Sequence, residues 1–417
     1  MGRRNGRGRY RRVLVALAMV GVACGSGGEE AEAPLPERPG ATAPQQASGT
    51  ETPATAPAAL AGTGTTAPQT LPILVGGGIE EVSTSMLTFL PRFPQAHPGD
   101  TLEFRVPELN AEPQTVTFGK LVEPGLDTAE GALKLPWVFP SAASPGPPQA
   151  NQSGARPCFL DTGLPPASRI GGAAACEHRA QPDFTGMEAF YNSGLLFEGD
   201  VFRMRIAAVA KPGSYAFMSL NYGGRMFGKL TIVEPGVPVP PAAEVEQRGV
   251  MEMRETAAIL GSGRNQPPST NGMLAGAILN NINSYLAEFI PTSLTVPVVS
   301  TVTFGIMLSH TISFNAAESD VGLVSRSPDG SLALNARVFA PADSPTPLPS
   351  DTIKIPGTAS SSTLDGGVFD GTGFKSSGLL SVEPPARIGY KVTFVTPGVY
   401  EVRCLVHPRM KAQITVA

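Results

Sequence analysis

The chain is poor in the residues that most often do chemistry: its 417 positions hold four His, four Cys and one Trp, with 6% aromatic and 16% charged residues. So few imidazoles and thiols exclude multi-zinc arrays and cap any metal chemistry. Low charge and few aromatics also argue against long amphipathic helices. Glycine and proline are plentiful instead, at 47 and 42 residues, beside 41% hydrophobic residues. That is too apolar for a disordered chain, and frequent turn-formers favour short strands. The length suggests two or three domains.

Net charge is −4, but residues 1–23 carry six Arg and no acid, so the remainder has 25 basic against 35 acidic residues. An acidic body excludes nucleic acid as a partner. The six Arg precede an apolar run from Val13 to Ala23, which has the length of a signal-peptide core and is too short to span a bilayer. It ends in GVAC and GSGG, which resembles a bacterial lipoprotein signal with Cys24 as the lipidated mature N-terminus. Gly21 departs from that pattern, so simple cleavage after Ala23 stays open. Either route implies export to the outer face of the bacterial cell membrane or the periplasm. Residues 24–72, rich in Ala, Pro and Thr, lack the large apolar side chains needed to fold and read as a disordered tether.

An internal repeat organises the rest. Phe89-Leu90-Pro91 is answered by Phe289-Ile290-Pro291, and Thr101-Leu102-Glu103-Phe104 by Thr301-Val302-Thr303-Phe304, both at an offset of 200. Further on, FYNSGLL from Phe190 matches FKSSGLL from Phe374, and Met226 matches Met410, at an offset of 184. The extra residues of the first copy hold Cys158 and Cys176. In an oxidising compartment these are expected to pair, stabilising their loop by roughly 3 kcal/mol. His178 is the only nearby partner for a metal or catalytic role, so the structural reading prevails.

Alternating runs such as His310-Thr-Ile-Ser-Phe read as strands. The fold class is therefore all-β, with two sandwiches of similar topology at residues 73–235 and 285–417. The linker between them, 236–284, carries a short helix over Ala242 to Leu260, which Pro267 and Pro268 bar from continuing. His97, in the turn HPGD, reads as a solvated loop residue.

The run YEVRCLVHPRMKAQITV places Cys404, His407 and Met410 at intervals of three, in a turn between two strands. A thiolate, an imidazole and a weak thioether form the ligand set of a blue-copper electron-transfer site, which needs one more imidazole. His310, in a strand of the same copy, supplies it. In the first copy Gln114 stands at the position of His310, Ser219 or Leu220 at that of Cys404, and Gly223 or Tyr222 at that of His407. Only Met226 persists, so that copy should hold no copper.

Cys-x-x-His-Pro-x-Met, four residues after a Tyr, resembles the cupredoxin family, particularly its amicyanin- and plastocyanin-like members, over residues 285–417. The resemblance implies two tandem Greek-key cupredoxin-like sandwiches, the first degenerate. It implies one type 1 copper ion, with His310, Cys404 and His407 as equatorial ligands and Met410 axial. Thr311 follows the first ligand where the family often has Asn, so the hydrogen bond that steadies the Cys loop should differ. The family's electron port is the loop histidine, here His407, expected near the surface in an apolar patch with Val406 and Pro408. Arg409 and Lys411 would charge its rim and steer an acidic partner.

The function this implies is carriage of single electrons between a donor and an acceptor redox protein, not enzyme catalysis. One alternative is a protein that stores, delivers or senses copper. A less favoured one is a subunit of a copper oxidase or nitrite reductase, whose further copper centres need more imidazoles than His97 and His178 provide.

Overall fold

Most segments in which β-branched or aromatic residues alternate with small polar ones form strands, and the chain is mostly β-sheet with few helices. The structure is a computed structural model. It describes residues 64–109, 112–127, 157–160, 181–265, 271–279, 284–326, 332–339, 352–353, 361–381 and 387–417. The expected leader, the lipidation site Cys24, the tether up to residue 63, Cys176 and His178 lie outside the described residues. Cys158 is disulfide-bonded. The strand Thr70–Val75 begins inside the range read as tether, because its apolar residues are buried in a sheet.

Two pairs of sheets carry the fold. In the first pair, a four-stranded sheet runs Phe89–Leu90, Thr70–Val75, Thr101–Arg105, Val201–Arg205. Its partner is a six-stranded sheet that includes Phe227–Ile232, Gly213–Met218, Thr117–Phe118 and Phe190–Asn192. Ile73, Phe104, Phe118, Phe217 and Leu230 fill the space between them. In the second pair, a seven-stranded sheet contains Tyr285–Ile290, Gly272–Ile278, Ser300–Ile306 and Arg387–Phe394. Its partner is a five-stranded sheet of Ser293–Val296, Lys411–Val416, Gly398–Arg403, Ser313–Phe314 and Lys375–Ser376. Met273, Phe304, Phe314, Tyr390, Val402 and Ile414 form their core.

The repeat read from sequence reappears in strand register. Ile73 pairs with Phe104 in parallel, as Met273 does with Phe304. Val75 opposes Phe89 as Ala275 opposes Phe289. Thr231 pairs with Gln95 as Thr415 does with Thr295. Tyr215 and Tyr400 each donate their hydroxyl to the carbonyl four residues upstream, Lys211 and Thr396, at 2.7 Å. Such a bond pins a turn to the strand that follows it.

Two expectations need correction. The range 236–284 is not only a linker: its strand Gly272–Ile278 lies between Tyr285–Ile290 and Ser300–Ile306, so the second β-unit begins there and not at 285. Its helix, Ala242–Gly261, runs 20 residues and buries Val245, Gly249, Ala257 and Leu260. His97 is buried, not solvated, because its Nε2 bonds the Val237 carbonyl at 2.7 Å and its backbone N–H donates to Asp100 Oδ2.

The two pairs of sheets are stitched together. Thr84–Ser85 leaves the first pair to form the edge of the seven-stranded sheet, where Ser85 opposes Tyr285. Tyr285–Ile290 is consequently buried along its whole length, with Tyr285 and Ala287 in the first core and Phe289 in the second. Glu288 locks the seam, accepting from Ser83 N–H at 2.9 Å and from Arg264 Nε at 2.6 Å. Glu288→Ala strands a buried amide and frees the guanidinium. It is expected to lower the unfolding free energy by about 2 kcal/mol, read from the urea midpoint; an unchanged midpoint would show that the seam contributes nothing.

Candidate metal centre

The strands Gly398–Arg403 and Lys411–Val416 pair antiparallel, with Arg403 opposite Lys411, so residues 404–410 form the loop that joins them. The loop is tied to itself: Cys404 N–H donates to the Met410 carbonyl and Met410 N–H to the His407 carbonyl, both at 3.0 Å. Within the loop Cys404, Leu405, Val406, His407 and Met410 are buried and Pro408 is exposed. Thr311 holds the loop from the neighbouring strand. Its hydroxyl accepts from Leu405 N–H at 2.7 Å, and its own N–H donates to Cys404 Sγ at 3.4 Å. Threonine thus performs the steadying role for which sequence reading anticipated a different bond.

His310 arrives on the short strand Ser309–His310, paired with Leu380–Ser381. Its ring faces Gly276, where the Gly272–Ile278 strand bulges at a φ of +81°. A Cβ at Gly276 would lie 2.5 Å from His310 Nε2, so only glycine leaves room for the imidazole. That Nε2 has no hydrogen-bond partner among the described residues.

Three of the four residues expected to bind metal converge. His310 Nδ1 lies 3.8 Å from Cys404 Sγ, His407 Nδ1 lies 3.4 Å from it, and the two Nδ1 atoms are 3.1 Å apart. His310 and His407 are wholly buried and Cys404 is 1% exposed. Donors spaced in this way surround a volume suited to one first-row ion, whose bonds to nitrogen and sulfur are roughly 2.0–2.3 Å. Met410 sits on the same loop, buried beside Cys404 in the second core.

Burial opposes charge at each of these groups, and their neighbours decide the outcome. At Cys404 the His407 charge and hydrogen bonds from both imidazoles overcome burial and hold the thiol well below its ordinary range. His407, against its own burial, is raised to about 10, chiefly by the Cys404 thiolate and also by Glu112. For His310 burial prevails and its pKa falls.

Glu112, from the first half of the chain, completes this arrangement. Its Oε1 lies 2.7 Å from His407 Nε2 and accepts the Tyr285 hydroxyl, which is itself 2.9 Å from the same Nε2. Though buried, the carboxyl titrates below its usual value because His407 hydrogen-bonds to it. Burial and Glu112 push the Tyr285 phenol well above its usual value. No local motif marks Glu112; it lies two residues before Gln114 but 295 positions from the ring it touches.

The covering residues overturn the expected electron port. His407 is wholly buried and Val406 is 4% exposed, because Glu112 and Tyr285 close the outer edge of the ring. Arg409 is not a free rim charge either. Its Nη1 donates to the Ile79 carbonyl at 2.8 Å and its Nη2 to that of Glu80, so it clamps the first half of the chain. Lys411 is exposed.

The corresponding loop of the first half is one residue longer, yet it is braced by matching hydrogen bonds around different contents. Ser219 N–H donates to the Met226 carbonyl, Leu220 N–H to Thr115 Oγ1, and Thr115 N–H to Ser219 Oγ. In place of a His–Cys pair, Ser219 Oγ donates to Gln114 Oε1 at 2.9 Å. Ser219, not Leu220, is thus the counterpart of Cys404, and Gly223, which accepts from Met226 N–H, is that of His407.

No family model and no curated protein matches the chain. Solved structures similar to it include a purple cupredoxin from Nitrosopumilus maritimus, at 14% identity over 35% of this chain and 98% of that one, with a TM-score of 0.16. A dithionite-reduced auracyanin from Roseiflexus castenholzii is 18% identical over 40% of this chain and 97% of its own, with a TM-score of 0.21. A copper-containing nitrite reductase from Thermus scotoductus is 13% identical over 84% of this chain and 68% of its own, with a TM-score of 0.20.

Gly276→Ala tests how the His310 niche is built. Positive φ at a non-glycine residue and the clash with the ring together are expected to cost about 2–4 kcal/mol. Denaturant unfolding of the metal-free protein checks this; a loss below about 0.5 kcal/mol would mean that the niche yields freely.

Proposed function

We propose that the chain is a blue (type 1) copper protein that carries single electrons between redox proteins outside the cytoplasm. The observation that carries this reading is the convergence of His310, Cys404 and His407 within 4.8 Å of one another, all buried. His310, Cys404 and His407 would hold the ion, with the Met410 thioether as a weaker fourth ligand, the donor set of such a site. Copper bound there would supply a one-electron couple between Cu(II) and Cu(I). Copper held there would take the Nδ1 side of His407, leaving the Nε2–H on the ring to donate to Glu112 Oε1.

The ligand cage supports fast transfer because it is held from several sides. Thr311, the loop's own backbone bonds and Glu112 each restrain one ligand. A cage that cannot rearrange keeps its geometry in both oxidation states. Complete burial of the donors favours an ion held permanently over one stored for delivery. The sequence has four His in all, and His97 is engaged by Val237, which weighs against the additional copper centres of an oxidase or nitrite reductase. In this reading the two β-units are tandem cupredoxin-like Greek-key sandwiches. The first is copper-free, and its Ser219–Gln114 bond occupies the place of a His–Cys pair. Cys24 anchors the chain by lipid to the outer face of the membrane, and the residues between it and the first strand, Thr70–Val75, form its tether. Cys158 and Cys176 form a disulfide.

The visible spectrum of the copper-loaded protein tests the reading. An intense band near the red end is expected, with one copper per chain, bleached reversibly by one electron equivalent and absent from Cys404→Ser. A protein that binds copper without that band, or a band that survives in the serine variant, would rule the reading out.

A further inference from the structure

Glu112 reaches the centre from the segment between the strands Thr101–Arg105 and Thr117–Phe118, in the half of the chain that contributes no ligand to it. It is 6% exposed, and its Oε1 touches the one atom of His407 that faces away from Cys404 and His310. We infer that Glu112 is a positioning residue of the copper centre, lent by the first β-unit to the second: it sets the His407 ring and, through its negative charge, lowers the reduction potential. The inference rests on the copper reading proposed above.

The geometry of the ring carries the first half of this statement. A histidine that turned over by 180° about its Cβ–Cγ bond would present carbon where Nδ1 now faces Cys404 at 3.4 Å. It would also withdraw the Nε2 hydrogen from Glu112 and from the Tyr285 hydroxyl, both within 2.9 Å. These groups are buried, so the turned ring would leave a carboxylate and a phenol short of a hydrogen bond, which is costly. The carboxylate therefore selects the orientation in which Nδ1 faces the other donors. Solvent cannot do this here, since His407 is wholly buried.

Charge carries the second half. A carboxylate that touches the far nitrogen of a copper-binding imidazole, with both groups buried from bulk solvent, interacts more favourably with the doubly charged than with the singly charged state. It also draws on the Nε2 hydrogen and makes the ring a stronger donor through Nδ1. Both effects favour oxidised copper. Tyr285 moderates them, because its hydroxyl donates to the same Oε1 and shares its charge.

The experiment uses the full-length copper-loaded protein and compares Glu112→Gln, Glu112→Leu and Tyr285→Phe by redox titration, visible absorption and electron paramagnetic resonance. Glu112→Gln keeps an acceptor oxygen and loses the charge. It should keep the red band while the preference for oxidised over reduced copper falls at least tenfold, a rise of about 59 mV in a one-electron potential. Glu112→Leu should add a changed copper spectrum as the ring loses its restraint. Tyr285→Phe, which leaves the carboxylate with one donor fewer, should move the potential the opposite way; it also supports the test if either Glu112 variant fails to fold. A potential in Glu112→Gln within twofold of the wild-type preference overturns the inference. So does an upward shift in Tyr285→Phe, or a metal-free Glu112→Leu that unfolds earlier while its copper form keeps the wild-type potential and spectrum. A wild-type protein with no red band would instead remove the copper reading itself.

Discussion

A thiolate in the middle of a folded protein has to be matched by positive charge close at hand, because water is too far away to stabilise it. Here three buried groups, Cys404, His407 and Glu112, touch in a line, and each offsets the cost of burying charge on its neighbour. Much of the surrounding architecture serves that line. The bonds within residues 404–410 set the spacing of Cys404 and His407, Thr311 steadies the sulfur, and the Thr84–Ser85 seam brings the first sheets close enough for Glu112 to reach the ring.

What could be read from the sequence follows the range of each interaction. Cys404, His407 and Met410 sit on one tight loop, so their spacing alone locates them together. His310 was identifiable because few histidines compete for its role and because its strand reads clearly. The repeat was legible as two constant offsets, which now appear as matched strand registers. Glu112, Tyr285 and Arg409 were not legible as parts of this region, because they meet it only after two distant β-units have packed. The exposed His407 expected from the sequence has the same origin: an isolated loop presents that ring to solvent, and only the neighbouring unit covers it. His97 was misjudged for a related reason, since a polar turn such as HPGD does not reveal that Val237 closes over it.

The first unit shows which parts of the metal loop are scaffold and which are chemistry. Thr115 repeats the two bonds of Thr311, and Ser193 supports Val116 N–H as Ser377 supports Ile312 N–H. Backbone and bracing side chains are thus alike where the ligands differ. Ser219 and Gln114 satisfy each other with a hydrogen bond of 2.9 Å, a neutral solution to the burial that Cys404 and His310 meet with charge. The loop shape does not depend on the thiolate, so the second unit can hold its donors in place before any ion arrives.

The exchanged strand Thr84–Ser85 bears on how such a chain can evolve. Once one β-unit completes the sheet edge of the other and covers Tyr285 and Ala287, the two can no longer be inherited separately. A descendant that kept only the later unit would expose an unpaired edge beside a bare apolar strand, the kind of surface through which chains aggregate. Gene duplication could create this pairing in one step, whereas losing either copy would require a new edge and a new cover at the same time.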